Sequence, residues 1–406
     1  MGPRLRGNDA VTDNGMRKHY SIFACRLLAA LTLSAAAAAL PATAASAPTT
    51  SATHATLSDP DATPATRALY AWLRGIWGKQ IIAGQQDLTW NDGADMARRV
   101  FDDTGKYPAL MGYDFMNSGL AGPDAQGAHQ VDEAIAFARR GGLVTFCWHW
   151  RDPARLAVAG AGRGNFYARE RDAAKNTGFT IPMKEGRLDT ASPGYAQLDA
   201  GIDLVAGELR RLADAGVVVL WRPLHEASGN KGDGWFWWGR TRGDGVPQAQ
   251  AYIQLWRHMH ERLVRTHGLH NLVWVWNGQD PAWYPGDDVV DVVGYDIYDD
   301  DKNGDAKAYK SQAATYRAAR AIGNRDKPVA LSETSYIPDP DKMLADGAPW
   351  LWFTVWNDGH APAGATDKDN FWSGDYYNTL THKNKVYHHP NVITLDKLPA
   401  FLKAPQ

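Results

Sequence analysis

This chain of 406 residues contains few cysteines and carries little net charge. The two cysteines are Cys25 and Cys147, which are too few to build a framework of disulfides. Lysine and arginine together number 43, and aspartate and glutamate together number 45, so the formal net charge is only −2. A chain with this charge balance has no broad excess of basic residues, which argues against a protein that binds nucleic acid.

Long hydrophobic runs are also missing, with one exception near the N-terminus. The apolar stretch Leu27–Leu40 follows basic residues and precedes small ones, which is the pattern of a cleaved secretory signal peptide. It is shorter than the roughly 20 residues that a membrane-spanning helix needs. We predict an N-terminal extension and signal peptide over 1–46, a flexible leader over 47–65, and a secreted or periplasmic protein. An uncleaved signal anchor is the alternative.

After residue 65, short apolar segments alternate with longer segments of helical periodicity. In the segment Tyr195–Ala215, for example, Ile202, Val205 and Leu209 fall on one helical face. The eight candidate strands are Lys79–Gly84, Tyr107–Phe115, Gly142–Trp150, Gly216–Glu226, Asn271–Asn277, Val289–Tyr298, Pro328–Tyr336 and Pro349–Asn357.

This alternation predicts the fold class. Strands that alternate with helices form a parallel sheet, and eight such units form a closed barrel. We predict one α/β domain over 66–406, a single (β/α)8 TIM barrel with extended βα loops that form a substrate cleft. A doubly wound open sheet is the alternative, but Gly84-Gln85-Gln86 at the first strand lacks the phosphate-binding glycine pattern.

Polar residues follow the apolar part of nearly every candidate strand. In a barrel these strand ends meet at one rim, where this fold builds its active sites. Glu226 follows the fourth strand and Glu333 lies on the seventh. Two carboxylates across one pocket are the minimum for cleaving a glycosidic bond, because one protonates the leaving oxygen while the other stabilises or attacks the anomeric carbon.

Tryptophan is unusually abundant, at 17 residues. Several aromatic residues fall near the strand ends, and their flat apolar faces suit the CH-rich faces of sugar rings. We expect the rim to contain Trp148, Trp150, Trp235, Phe236, Trp237, Trp238, Trp276, Trp283 and Trp356. Two strand-end glutamates together with an aromatic rim predict a glycosidase.

Other chemistries fit the sequence less well. His225-Glu226 is not followed by the second histidine of a zincin motif, and the serines of the seventh strand lack the glycines of a nucleophile elbow. A metal site of His149, His225 and Asp296 at the rim stays open, but these residues lack tight ligand spacing. We predict no cofactor and no metal ion.

Several motifs resemble glycoside hydrolase family 26, most of whose members are endo-β-1,4-mannanases. The most specific is Arg222-Pro223-Leu224-His225-Glu226 followed, after a glycine-rich step, by Trp235-Phe236-Trp237-Trp238-Gly239. Trp148-His149-Trp150, Gly294-Tyr295-Asp296 and the strand that carries Glu333 match further family motifs in the same order. The resemblance covers nearly all of the chain after about residue 66.

The resemblance implies a retaining mechanism. Glu226 is expected to be the general acid/base and Glu333 the nucleophile. Tyr295 is expected to donate a hydrogen bond to the nucleophile. Arg222, inside the barrel mouth, is expected to stabilise the ionised form of Glu333 by its opposite charge.

The resemblance also implies residues that bind the sugars. His149 and His225 are expected to shape the subsite of the attacked sugar, with Trp356 as a platform beneath it. Trp235 is expected to line the leaving-group side. His225 directly precedes Glu226 and would point to the opposite face of a regular strand, so it can share the site only if the strand end is distorted.

One departure from the family pattern lies between the acid/base and the aromatic run. Residues 227–234 contain an insertion of about four residues, which puts the role of Trp235 in question. The segment 154–193 after the third strand is long for a barrel loop and is expected to wall the cleft.

The predicted function is hydrolysis of β-1,4-mannosidic linkages by double displacement. The expected partners are mannan, galactomannan or glucomannan, with no nucleic acid, no membrane after signal removal, and a monomeric state. A β-1,3-xylanase or mixed-linkage β-glucanase of the same family is the alternative. A non-catalytic carbohydrate-binding barrel and a metal-dependent hydrolase are alternatives from other classes.

Overall fold

Eight parallel strands form the centre of the protein. The computed structural model describes residues 56–89, 95–118, 129–156, 166–169, 176–229, 234–299, 306–357 and 370–402. The barrel strands are β1 Ile81–Gln86, β2 Leu110–Asp114, β3 Leu143–Trp148, β4 Val219–Pro223, β5 Leu272–Trp276, β6 Val292–Ile297, β7 Val329–Thr334 and β8 Trp352–Val355. Each overlaps the strand that the sequence predicts at that place.

The sheet closes on itself. Successive strands pair in parallel, and β8 pairs with β1. At this closing seam Gly84 of β1 lies opposite Thr354 of β8. A Cβ atom on Gly84 would lie 2.7 Å from the carbonyl oxygen of Phe353, so the close approach of the two strands requires glycine. A closed parallel sheet of eight strands with helices between them confirms the predicted (β/α)8 barrel.

Helices surround the barrel. They are α1 Pro64–Ile76, α2 Met96–Thr104, α3 Gln130–Arg139, α4 Pro153–Leu156, α5 Pro193–Asp214, α6 Gln248–Glu261, α7 Ala313–Arg320, α8 Pro340–Ala345 and α9 Leu380–Tyr387. The longest, α5, begins where the Ser192 hydroxyl accepts a hydrogen bond from the amide of Gly194. Its residues Leu198, Ile202 and Val205 are buried, as the helical periodicity predicts.

Apolar side chains fill the N-terminal end of the barrel. Leu69 and Leu73 of α1 are buried in one cluster with Ile82 of β1, Leu220 of β4 and Val273 of β5. The alternate residues of the strands belong to a second cluster that includes the surrounding helices. Because that end is filled, polar side chains collect at the opposite end, where the strands end at their carboxyl termini.

The chain before α1 is held against the barrel from residue 56 onward. The amide of Ser58 donates to the Asp291 carboxylate at 2.6 Å, and His270 Nδ1 lies 2.9 Å from the Asp59 carboxylate. Residues 56–65 of the predicted leader are therefore ordered, because their polar groups find partners on the barrel. The predicted signal peptide over 1–46 lies outside the described residues. Among those residues, no helix is both long and apolar enough to cross a membrane.

Candidate active site

Glu226 lies just beyond the carboxyl end of β4, in a distorted backbone. Leu224 and Glu226 both have φ at 51°, in the left-handed region that non-glycine residues rarely adopt. The Glu226 amide donates to the carbonyl oxygen of Asn277 at 2.7 Å. Because the backbone departs from extended geometry here, the side chains of His225 and Glu226 can both reach the same pocket. His225 Nε2 lies 4.0 Å from Glu333 Oε1. The strand end is therefore distorted, as it must be for His225 to share the site with Glu226.

Glu333 lies near the end of β7 and accepts hydrogen bonds from two sides. Arg222 Nη2 donates to Glu333 Oε1 at 2.6 Å, and the hydroxyl of Tyr298 donates to Oε2. Arg222 is buried at 3% exposure, so little water screens its positive charge from the carboxylate. Both donors stabilise the ionised form of Glu333, which is the form that can attack a carbon atom.

The tyrosine that contacts Glu333 is not the one expected. The hydroxyl of Tyr295 donates instead to the backbone carbonyl of Gln279 at 2.7 Å. Tyr295 packs against the cluster that includes the surrounding helices, and the pairing of β6 with β7 shifts register between Tyr295 and Asp296. Tyr298, three residues further on and beyond the end of β6, reaches Glu333.

The two glutamates face each other across one pocket. One carboxylate oxygen each from Glu226, Glu333 and Asp296 lies within 4.8 Å of the other two. Retaining glycosidases hold their two carboxyl groups roughly 5–5.5 Å apart, whereas inverting ones leave space of about 6.5–9.5 Å for a water molecule. The short separation therefore fits double displacement through a glycosyl-enzyme intermediate.

The surroundings of Glu226 keep its carboxyl group protonated up to near-neutral pH. Burial, followed by the negative charge of Glu333, raises the pKa of Glu226 to about 7. Trp235 Nε1 opposes this shift by donating to Glu226 Oε2 at 2.9 Å, and Gln279 donates weakly to Oε1 at 3.4 Å. A carboxyl group with a pKa near 7 can give a proton at the start of a reaction and take one later.

Asp296 is a third buried carboxyl group beside the two glutamates. Its carboxylate accepts from Asn277 Nδ2 at 2.7 Å and from Arg222 Nη1 at 3.4 Å. Burial, and then the nearby charge of Glu333, raise the pKa of Asp296 well above its ordinary value. Arg222 thus bridges Asp296 and Glu333, so one cation serves two buried carboxyl groups.

Two histidines line the pocket beside these carboxyl groups. The rings of His149 and His225 meet edge to face, with centroids 4.6 Å apart. His149 Nδ1 lies 2.5 Å from the Asp114 carboxylate. Burial, followed by the neighbouring His149 and Arg222, lowers the pKa of His225 well below its ordinary value, so His225 is neutral. The metal trio considered from the sequence is divided, because Asp296 contacts Arg222 rather than either histidine.

Most of the aromatic residues expected at the rim are instead part of the core. Trp237 Nε1 donates to the backbone carbonyl oxygen of Trp150 at 2.6 Å, and both indole rings are buried. Burial also applies to Trp148, Phe236, Trp238, Trp276 and Trp283. The expectation of a rim made by all nine aromatic residues is wrong, because indole rings fill the space between strand ends and helices. Trp235 and Trp356 remain partly exposed.

Those two tryptophans contact different residues of the pocket. Trp235 contacts Glu226 through its indole N–H, and the Trp356 ring centroid lies 5.9 Å from that of His149. Of the insertion at 227–234, residues 230–233 lie outside the described residues. Within the segment 154–193, Phe166 packs 4.8 Å from the His149 ring, so this part of the segment contacts the site as expected.

Sequence reasoning did not give roles to Tyr298, Asp114 or Gln279. The signal was present, because each stands in one of the polar strand-end motifs GYDIY, GYDF or WNGQD. These motifs place residues at the rim but cannot decide which side chain turns inward. The substrate contacts expected of His149, His225, Trp235 and Trp356 stay predictions.

The chain matches the model of glycosyl hydrolase family 26 over residues 58–397. It is 39% identical over 344 residues to a mannan endo-1,4-beta-mannosidase of Thermothelomyces thermophilus, covering 84% of this chain and 63% of that protein. It is 32% identical to mannan endo-1,4-beta-mannosidase B of Piromyces sp, covering 84% of this chain and 53% of that protein. The chain thus spans less than two thirds of the length of these relatives.

Solved structures agree with these sequence matches. A Podospora anserina GH26-CBM35 β-(1,4)-mannanase has a TM-score of 0.68 at 34% identity, covering 86% of this chain and 70% of that one. A β-mannanase from a symbiotic protist of the termite Reticulitermes speratus, complexed with gluco-manno-oligosaccharide, has a TM-score of 0.69 at 30% identity, covering 85% and 98%. This chain belongs to glycosyl hydrolase family 26.

Proposed function

We propose that this protein is a retaining glycoside hydrolase that cleaves β-1,4-mannosidic linkages in mannan-type polysaccharides. One observation carries the proposal: Glu226 and Glu333 place carboxylate oxygens within 4.8 Å of each other, in surroundings that favour opposite protonation states. Glu226 is held protonated by burial and by the charge of Glu333. Glu333 accepts hydrogen bonds from two donors that stabilise a carboxylate, and one of them is a cation.

The first chemical step transfers the sugar to the enzyme. Glu226 gives its proton to the glycosidic oxygen while a Glu333 oxygen bonds to the anomeric carbon, and the carbon–oxygen bond to the leaving group breaks. Arg222 and Tyr298 hold Glu333 in place for this attack. The leaving sugar departs as a neutral alcohol, so no charged product has to be stabilised.

The second step reverses the role of Glu226. Once Glu333 is bonded to the sugar, it no longer carries a negative charge. The pKa of Glu226 then falls, because the charge of Glu333 was one of the causes that raised it. Glu226, now ionised, takes a proton from water as the water attacks the anomeric carbon. The bond to Glu333 breaks, and the product keeps its original anomeric configuration.

The mannan specificity is inferred from relatives. The curated relatives named above are mannan endo-1,4-beta-mannosidases, and one solved relative is complexed with gluco-manno-oligosaccharide. Mannose differs from glucose by an axial 2-hydroxyl, so contacts with that hydroxyl can separate the two sugars. β-1,3-Xylan and mixed-linkage glucan also differ from mannan in their linkages, and xylose lacks the hydroxymethyl group. Hydrolysis of mannan, galactomannan, glucomannan, β-1,3-xylan and mixed-linkage glucan should be compared side by side. Faster hydrolysis of xylan or mixed-linkage glucan than of mannan would contradict the proposed specificity.

The roles of the two glutamates can be separated by leaving-group chemistry. Glu333→Ala should abolish turnover of every substrate, because no nucleophile remains. Glu226→Ala should slow mannan hydrolysis by about 10²–10⁴-fold, the usual contribution of general acid catalysis. The same variant should retain far more activity on an aryl mannoside with a good leaving group, which needs no protonation. Equal losses on both substrates would contradict the acid role of Glu226.

We also propose that the protein acts outside the cytoplasm. Polysaccharides of this kind cannot enter a cell whole, and the basic, then apolar, then small-residue pattern of 1–46 is that of a secretory signal. Mass spectrometry of the exported protein should find a new N-terminus near residues 44–47. A protein that retains residues 1–46 in the cytoplasm would contradict this proposal.

A further inference from the structure

Asp114 is a buried carboxyl group that the mechanism above does not use. It ends β2, is 1% exposed, and accepts three hydrogen bonds. Its Oδ1 accepts from the amides of Met116 at 2.9 Å and His149 at 3.0 Å. Its Oδ2 lies 2.5 Å from His149 Nδ1. The carboxylate thus holds both the backbone and the ring of one residue of the pocket.

These contacts determine which nitrogen of the His149 ring faces the Asp114 carboxylate. The backbone amides of Met116 and His149 both donate to Asp114 Oδ1, and such donors stabilise the ionised carboxylate. An ionised carboxylate can only accept hydrogen bonds. His149 Nδ1 therefore carries a hydrogen, and the nitrogen left for a ligand is Nε2.

The ring is also confined by its neighbours. It packs 4.6 Å from the His225 ring, 4.8 Å from Phe166 and 5.9 Å from Trp356, measured between centroids. About 10% of the His149 side chain stays exposed. Since Nδ1 faces Asp114, the opposite ring edge, which carries Nε2, is the edge available to a sugar hydroxyl in the pocket.

We propose that Asp114 is a positioning residue that fixes His149 in the tautomer whose Nε2 faces the bound sugar. In this tautomer His149 accepts a hydrogen bond from a sugar hydroxyl through the Nε2 lone pair. The proposal rests on the proposed function, because it needs a sugar in this pocket. It assigns Asp114 a role that acts only through His149.

Asp114→Asn is a sharp perturbation because two backbone amides orient the new side chain. The amides of Met116 and His149 need an acceptor, so the amide oxygen takes the place of Oδ1. The NH2 group then faces His149 Nδ1, which must become the acceptor, and the ring hydrogen moves to Nε2. The shape of the site is unchanged, but Nε2 is now a hydrogen-bond donor and can no longer accept a hydrogen bond from the sugar hydroxyl.

The tautomer can be measured without any substrate. Nitrogen-15 NMR of the histidine rings, with His149 assigned by comparison with His149→Gln, should find the hydrogen on Nδ1 in the wild-type protein. In Asp114→Asn the hydrogen should move to Nε2. A wild-type His149 with its hydrogen on Nε2 would overturn the proposal, whatever the behaviour of the variant.

Activity supplies the second test. Loss of a matched hydrogen bond to a buried group costs about 1–3 kcal/mol, so kcat/KM of Asp114→Asn on mannopentaose should fall about 10- to 100-fold. In a His149→Ala background the same change should cause no further loss, because its target is gone. Equal losses in both backgrounds would overturn the proposal and indicate a merely structural role.

Asp291→Asn is the matched control. Asp291 is equally buried and also accepts a backbone amide, that of Trp274 at 2.7 Å, but it lies at the opposite end of the barrel. Its kcat/KM should stay within about twofold of wild type. A wild-type protein that hydrolyses no mannan would refute the proposed function, whereas the NMR result would still decide the tautomer.

Discussion

The hydrogen bond from Trp235 to Glu226 should set the upper end of the working pH range. Trp235 Nε1 donates to Glu226 Oε2 at 2.9 Å and lowers the pKa of that carboxyl group, opposing burial and the charge of Glu333. Trp235→Phe keeps an aromatic ring but removes the donor. A bond that stabilises the ionised form is then lost, so the pKa of Glu226 should rise above about 7.

The size of the shift follows from the strength of such a bond. A hydrogen bond to a charged group contributes about 1.5–3 kcal/mol, and one pKa unit corresponds to about 1.4 kcal/mol. Water can replace part of the lost bond, since Trp235 is partly exposed. We therefore expect the basic limb of the pH profile to move upward by about half a unit to one unit.

The assay is kcat/KM for a mannooligosaccharide across pH 4 to 10. Its basic limb reports the general acid in the free enzyme, so a weaker sugar contact would lower the whole curve without moving the limb. Trp256→Phe is the control, because its indole N–H donates to the Val289 carbonyl oxygen, away from both glutamates. A limb that stays in place, or moves downward, in Trp235→Phe would refute the assignment of Glu226 as the acid.

Other predictions concern the surroundings of the nucleophile and metal dependence. Tyr298→Phe should lower kcat by about 10- to 100-fold, because the lost hydrogen bond to Glu333 contributes about 1.5–3 kcal/mol. Tyr295→Phe should change kcat by less than about threefold, because its hydroxyl contacts only a backbone carbonyl. A larger loss in Tyr295→Phe than in Tyr298→Phe would contradict the geometry. Arg222→Met should lower the free energy of unfolding by about 3–5 kcal/mol in urea, because it leaves buried carboxyl groups without their cation. Arg211→Met, which breaks exposed ion pairs, should cost less than about 1 kcal/mol, and equal costs would contradict this reasoning. A chelator should leave mannan hydrolysis unchanged, and its abolition would favour the metal-dependent alternative.

Periodicity alone was sufficient to predict the barrel. The eight apolar segments and the amphipathic α5 follow simple spacing rules, and alternating strands and helices allow few other arrangements. The same rules place Glu226 and Glu333 at one rim, although 107 residues separate them along the chain. The bounds of the strands were less certain, because polar residues at their ends continue the apparent pattern.

The individual side chains of the site were harder to predict. Tyr295 and Tyr298 both stand at the end of one strand, and a bulge in the pairing of β6 with β7 lies between Tyr295 and Asp296. Sequence spacing does not reveal such a bulge. The positive φ values at Leu224 and Glu226 are equally hidden, since neither residue is a glycine.

The tryptophans show a further limit of composition. Their number suggested a sugar-binding rim, yet Trp150, Trp237 and Trp238 are each 1% exposed or less. A large aromatic ring contributes most to stability when it is buried, so abundance by itself says little about a binding surface. The partly exposed Trp235 and Trp356 could be identified only from the resemblance to the family.

Trapping the covalent intermediate tests the central claim most directly. A mannoside with fluorine at carbon 2 and a good leaving group should glycosylate the nucleophile faster than the glycosyl ester is hydrolysed. Fluorine slows both steps by destabilising their oxocarbenium-like transition states, and the good leaving group speeds only the first step. After proteolysis, mass spectrometry should find the label on the peptide that contains Glu333. A label on another residue, or an unlabelled enzyme that releases the fluorinated sugar with inverted configuration, would contradict double displacement between Glu226 and Glu333.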